Sequence, residues 1–219
     1  MSHQPSETRL LIVRHGETDA NAAGIWQGAT DHPLNERGKL QAQAVAQRLA
    51  QEEPHIAAIY TSPLKRARQT AEIIAQALGN VPVYEDPDLS EYNLGEWEGL
   101  TYQELRYERR LWDRMSEDPH WAPPGGESAY EFAMRVLGAF QRIAEQHKGQ
   151  TILIVGHGGA IATALALLLE RRGGEWKKYG MINCAISELI MGPTPKLIRH
   201  NDTAHLQAVG HGGKPRVGQ

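Results

Sequence analysis

Three short apolar runs constrain this chain more than any other feature, because each stops abruptly at polar, turn-forming residues. Residues 10–13 (Leu-Leu-Ile-Val) run straight into Arg14-His15-Gly16-Glu17-Thr18. Residues 56–60 end in Thr61-Ser62, and residues 151–155 end in Gly156-His157-Gly158-Gly159. Runs of four or five mostly branched residues bounded in this way read as strands buried on both faces. Weaker strand signals follow at 81–84, 185–191 and 196–199. Between them lie helical patterns. Asn35 caps one from Glu36 to about Gln51. Ser62 as N-cap with Pro63 at the first helical position starts another, running from Leu64 to near Leu78 with Gly79 at its C-cap. Thr101 with Glu104 and Ser128 with Glu131 fit capping boxes, predicting helices over 102–115 and 129–146. A last helix follows Gly159 to about Leu169. Strand alternating with helix implies an α/β fold in which helices cover both faces of a mostly parallel sheet.

Ligands of such sheets bind beyond the carboxyl ends of the strands. The reactive residues fall there: Arg14 and His15 after the first strand, Arg66 in the first turn after the second, and His157 after the fourth. Two arginines and two histidines at one sheet edge suit a dianionic tetrahedral group, since guanidinium binds phosphate bidentately without titrating. Glycines beside both histidines allow close backbone approach, and the helix after His157 presents N–H groups and a favourable dipole.

The 219 residues suffice for one substantial domain, read here as 1–219, with a Trp-rich, charged cap segment at about 86–128 and a flexible Gly-rich tail at about 208–219. A net charge of −3 without Lys/Arg runs argues against nucleic acid or an anionic membrane as partner. The longest apolar run, 160–169, is too short to span a bilayer, and the N-terminus lacks the apolar stretch of a signal peptide. One cysteine, Cys184, excludes an intrachain disulfide. The expectation is a cytoplasmic protein. Ten histidines include no His-Glu-x-x-His or compact Asp/His cluster, so neither a metal nor another cofactor is expected.

The motifs, in order, resemble the histidine phosphatase superfamily in its phosphoglycerate mutase-like branch. They are Leu11-Ile12-Val13-Arg14-His15-Gly16-Glu17-Thr18, Asn21, Gln27-Gly28, Ser62-Pro63-Leu64-Lys65-Arg66-Ala67, Glu91, Gly95-Glu96-Trp97-Glu98-Gly99, Pro124-Gly125-Gly126-Glu127-Ser128 with Arg135, Val155-Gly156-His157-Gly158-Gly159 and Asn201-Asp202-Thr203-Ala204-His205-Leu206. The resemblance implies a three-layer α/β/α sandwich with a helical cap insertion. It implies that His15 is the phosphoryl-accepting nucleophile, its other ring nitrogen donating to a backbone carbonyl. Arg14, Arg66 and His157 would clamp the phosphoryl oxygens, aided by Asn21 and backbone N–H groups near Gly158. Glu91 would be the general acid and base, and Gln27, Gly28 and Tyr92 would line the substrate site.

The implied activity is hydrolysis of a small-molecule phosphomonoester. Phosphoglycerate mutase is the alternative within the family, and a non-catalytic phospholigand-binding protein lies outside that class. The family's mutases typically carry arginine after the catalytic glutamate and a lysine further on, where this chain has Tyr92 and Tyr102. Arg109-Arg110 is a candidate substitute. An intact nucleophile and acid argue against binding alone. Trp97 and Trp112 are expected to pack together in the cap. Phosphosugar, phosphoglycerate-like acid and nucleoside-type phosphate all stay open as substrates, as does oligomeric state, a homodimer among the options.

Overall fold

The computed structural model describes residues 6–53 and 55–210. Its strands are β1 (Thr8–Arg14), β2 (Ile56–Thr61), β3 (Val83–Glu85), β4 (Thr151–Gly156), β5 (Ile186–Met191) and β6 (Lys196–Asp202). They form one sheet in the order β3-β2-β4-β1-β5-β6. β1, β2, β3 and β4 pair in parallel, while β5 runs antiparallel to both its neighbours, so the sheet is mixed but mostly parallel as expected.

Strand side chains alternate between two faces, and here the alternation builds two cores. Leu10 and Ile12 of β1 join Ile152 and Ile154 of β4 against helices α5 (Ala129–Gln146) and α6 (Gly158–Glu170). Leu11, Val13, Leu153 and Val155 face the other way, against α2 (Glu36–Glu52) and α3 (Lys65–Ala77). All eight are fully buried, each stabilising the fold by roughly 2 kcal/mol. Such strands cannot alternate polar with apolar, which is why they read as unbroken runs. Helix–sheet–helix layering matches the expected sandwich.

Local differences have physical causes. A short helix α1 (Asp19–Ala23), closed by a Thr18–Asn21 capping box, was not foreseen. Ser62 is not the N-cap of α3. Leu64 holds that position, Ser62 Oγ accepts from its N–H, and the Lys65 N–H is met at 2.6 Å by the Asp31 carboxylate from a distant loop. The single helix expected over 102–115 is broken into a wide π-type turn (Glu104–Glu108) and α4 (Leu111–Glu117). Leu105 and Leu111 are both buried in the same core, yet six residues apart they would lie about 120° apart around a continuous helix. The break at Arg110, in the left-handed region at φ 52°, brings both inward. Of the tail expected to be flexible, Val209 packs on the α2/α3 core, and residues 211–219 lie outside the described residues. Among the described residues no helix is long and apolar enough to cross a membrane.

Candidate active site

Adjacent strands β1 and β4 carry His15 and His157 past the sheet edge, and the rings face each other with centroids 5.1 Å apart. The turn after β1 is held by close backbone contact: a Cβ on Gly16 would meet the Gly38 carbonyl oxygen at 2.5 Å, and one on Gly38 the Glu17 oxygen at 2.1 Å. Only glycine at both positions brings the first turn of α2 against the catalytic loop. His15 Nδ1 lies 2.7 Å from the Gly16 carbonyl oxygen. A carbonyl can only accept, so Nδ1 carries the proton and Nε2 keeps its lone pair. Burial, then Arg66 and Arg14, hold His15 well below the ordinary imidazole value. The ring is therefore a neutral base with a fixed tautomer.

Arg66 is 1 % exposed and bonded throughout: Nε donates to His157 Nδ1 at 3.2 Å, Nη1 to the Thr30 carbonyl at 2.6 Å and Nη2 to the Gly28 carbonyl at 2.7 Å. Burial lowers its pKa to about 10, still charged at neutral pH. Because His157 accepts at Nδ1, its proton sits on Nε2, which is buried and unpartnered within the protein. Arg14 donates from Nη1 to the Met181 carbonyl, and its Nε is a second buried donor without a partner. Buried donors are ordinarily satisfied, so two beside one neutral histidine mark a place for an anion.

Glu91 reaches the same edge. Its Oε2 accepts from the Gly159 N–H at 2.8 Å and its Oε1 from the Tyr92 N–H at 2.9 Å. Arg135 secures the loop from behind, donating to the Asp88, Ser90 and Glu91 carbonyls and pairing with Glu127. A Cβ on Gly159 would lie 2.5 Å from Glu91 Oε1. Gly159→Ala should therefore displace this carboxylate, lowering kcat about 100-fold while leaving the melting temperature nearly unchanged, which kinetics and a thermal melt on one preparation would check.

Of the residues singled out in the sequence, Arg14, His15, Asn21, Gln27, Gly28, Arg66, Glu91, Tyr92 and Gly158 line one cavity of about 130 Å³, with His157 buried behind it. Asn21 Oδ1 accepts from the Thr18 N–H at 3.2 Å, and from Asn183 at 3.4 Å, leaving its Nδ2 to donate. The Gly28 carbonyl is occupied by Arg66, so this residue serves the arginine more than the substrate. Sequence reasoning missed Asn183, which donates to the His15 carbonyl at 2.9 Å, and the wall residues Trp26, Trp176 and Met181. Trp97 packs on Trp121 and Trp112 edge-on against Trp26, so each finds an aromatic partner, though not each other. Arg109 lies over Trp97 and Arg110 pairs with Asp113 and Glu117; neither lines the cavity. Among the described residues no group of three or more His, Cys, Asp or Glu could hold a metal ion.

The two neutral histidines make stability pH-dependent. Burial holds His157, like His15, well below its ordinary value. Below about pH 6.5 the unfolded chain takes up protons that the folded rings refuse, so stability rises with pH up to that point and falls as the solution is acidified. The slope is about 1.4 kcal/mol per histidine per pH unit. Asp202, held at about 2 mainly by Arg48, stays ionised across this window and adds almost nothing to the slope. The melting temperature should fall steadily from pH 7 to pH 5; a flat profile would mean that the folded rings protonate freely.

A sequence profile of the histidine phosphatase superfamily (branch 1) matches residues 10–203. Two Arabidopsis thaliana proteins are similar over nearly the whole chain. Phosphoglycerate mutase-like protein 4 is 39 % identical over 92 % of this chain and 88 % of its own length. A metal-independent phosphoserine phosphatase is 36 % identical over 93 % and 85 %. Among solved structures, the phosphoserine phosphatase of Entamoeba histolytica in complex with 3-phosphoglyceric acid superposes with a TM-score of 0.80 at 33 % identity, covering 91 % of this chain and 99 % of that one.

Proposed function

This chain belongs to the histidine phosphatase superfamily, and from that premise we propose that it is a phosphatase that hydrolyses small phosphate monoesters through a phosphohistidine on His15. The observation that carries this reading is the fixed tautomer of His15, whose free Nε2 lone pair sits beside the unpartnered donors Arg14 Nε and His157 Nε2. In the first step Nε2 attacks phosphorus and the ester P–O bond breaks. Glu91, protonated, gives its proton to the departing alkoxide. In the second step water attacks phosphorus, the P–N bond breaks, and Glu91 takes the water's proton. Arg14, Arg66 and His157 neutralise the equatorial oxygens throughout, where phosphoryl transfer draws most of its catalysis.

Mutase activity needs cations beyond the phosphoryl pocket to hold a bisphosphate. The positions where the family's mutases carry them hold Tyr92, packed edge-on against Phe132, and Tyr102, packed on Trp112. Rapid interconversion of 2- and 3-phosphoglycerate without phosphate release would overturn the phosphatase reading. We further read the protein as cytoplasmic, in keeping with its single, buried cysteine.

The test is phosphate release from a panel of monoesters in excess EDTA. Arginine and histidine supply the charge that Mg²⁺ supplies in other phosphoryl-transfer sites, so kcat/KM should be unchanged by chelation. Complete loss restored by one divalent ion would reverse this part of the reading.

A further inference from the structure

Charge and surface in the cavity say which kind of phosphate ester it takes. The cavity is lined by two cations, Arg14 and Arg66, and two carboxylates, Glu17 and Glu91. A phosphoryl group engages both arginines, which leaves no lining cation for an anionic leaving group. Glu17 adds a buried carboxylate, braced by Asn35 at 3.1 Å and 4.0 Å from Arg37. A second carboxylate here would meet like charge and no lining cation to pair with, and burying an unpaired charge is strongly unfavourable.

The remaining wall is mostly apolar: Ile25, Trp26, Tyr92, Leu94, Trp176 and Met181. Its two indoles come from separate segments. Trp26 follows α1 and is set in place by Trp112 edge-on at 5.2 Å and by Tyr102 at 6.3 Å. Trp176 lies in the helical turn Gly173–Tyr179 that follows α6. Lys177 is exposed, does not line the cavity, and has its ammonium 6.0 Å from the Trp176 ring centroid. Gln27, 6 % exposed with its Oε1 unpartnered, is a neutral polar contact in the same wall. Aromatic walls with a few polar groups are how pockets select flat or apolar ligands.

We propose, resting on the phosphatase reading above, that the leaving group this site selects is an uncharged, largely apolar alcohol seated against Trp26 and Trp176, and not a carboxylate-bearing one such as serine or glycerate. The test compares 2-phenylethyl phosphate with O-phospho-L-serine and 3-phosphoglycerate on the full chain. All three release primary alkoxides, so binding and positioning decide the difference. The phenylethyl ester should show the higher kcat/KM by about tenfold or more, the discrimination expected when a pocket leaves a charged group unpaired. Trp176→Ala and Trp26→Phe, the latter keeping an aromatic ring in the cluster, should each raise KM for the phenylethyl ester several-fold and leave inhibition by inorganic phosphate unchanged. A higher kcat/KM for either carboxylated ester, or a preference untouched by both tryptophan variants, would overturn the proposal while phosphate release upholds the phosphatase reading. No phosphate release from any ester, with no phosphorylated His15, would remove that reading and this inference with it.

Discussion

Replacing His15 with alanine is expected to remove both the phosphoenzyme and turnover. With wild-type protein and a labelled substrate, rapid quenching should trap label that is stable in base and lost in acid, the signature of a phosphorus–nitrogen bond. In His15→Ala neither label nor steady-state phosphate release should remain, a loss on the order of 10⁴–10⁶ in kcat, as when a nucleophile that works as part of a unit is deleted. The structure makes this a clean test. His15 is held through its backbone carbonyl by Asn183 and through Nδ1 by the adjoining Gly16 carbonyl, so alanine deletes the ring without unpairing a distant group. Substantial turnover in the variant would show that phosphate passes to water directly.

Arg66→Ala should cost about 10²–10³ in kcat/KM, and its effect reaches further than one lost charge. The guanidinium donates to His157 Nδ1, and that bond fixes the His157 proton on Nε2. Without it the ring is free to move its proton to Nδ1, and a donor facing the phosphoryl site becomes an acceptor. The same substitution leaves the Gly28 and Thr30 carbonyls without their arginine partner. A lower melting temperature should therefore accompany the kinetic loss, and Arg66→Lys should recover little, since one ammonium cannot serve three directions at once. Near-normal kcat/KM in either variant would show that Arg66 only braces the loop.

Much of this arrangement was legible in the sequence because it depends on local pattern. Apolar runs that end in Arg14-His15 and in Gly156-His157 announce both strand and site, since a doubly buried strand has no other place for charged residues than its end. Asn35 and the Ser128–Glu131 box fixed their helix starts correctly for the same reason. What escaped depends on partners remote in sequence. Asp31 reaches across 34 residues to cap α3, so Ser62 misled. The break at Arg110 exists because Leu105 and Leu111 share one core, which no spacing within 102–115 reveals. Trp26, Trp176 and Asn183 stand in segments without periodicity and meet the site only through the fold.

The division between the sheet's centre and its periphery has an evolutionary consequence. Every group that handles phosphorus stands at the end of, or bonds directly to, the two central strands β1 and β4. The surfaces that meet the rest of the substrate belong to short turns at 24–28, 91–94 and 173–179. Drift in those turns leaves the chemistry standing, because no core strand passes through them. A lineage built on this plan can exchange one alcohol for another by rewriting a few peripheral positions while its reaction stays the same. Relatives that share the fold and the two histidines are thus free to diverge in diet without relearning how to break the bond.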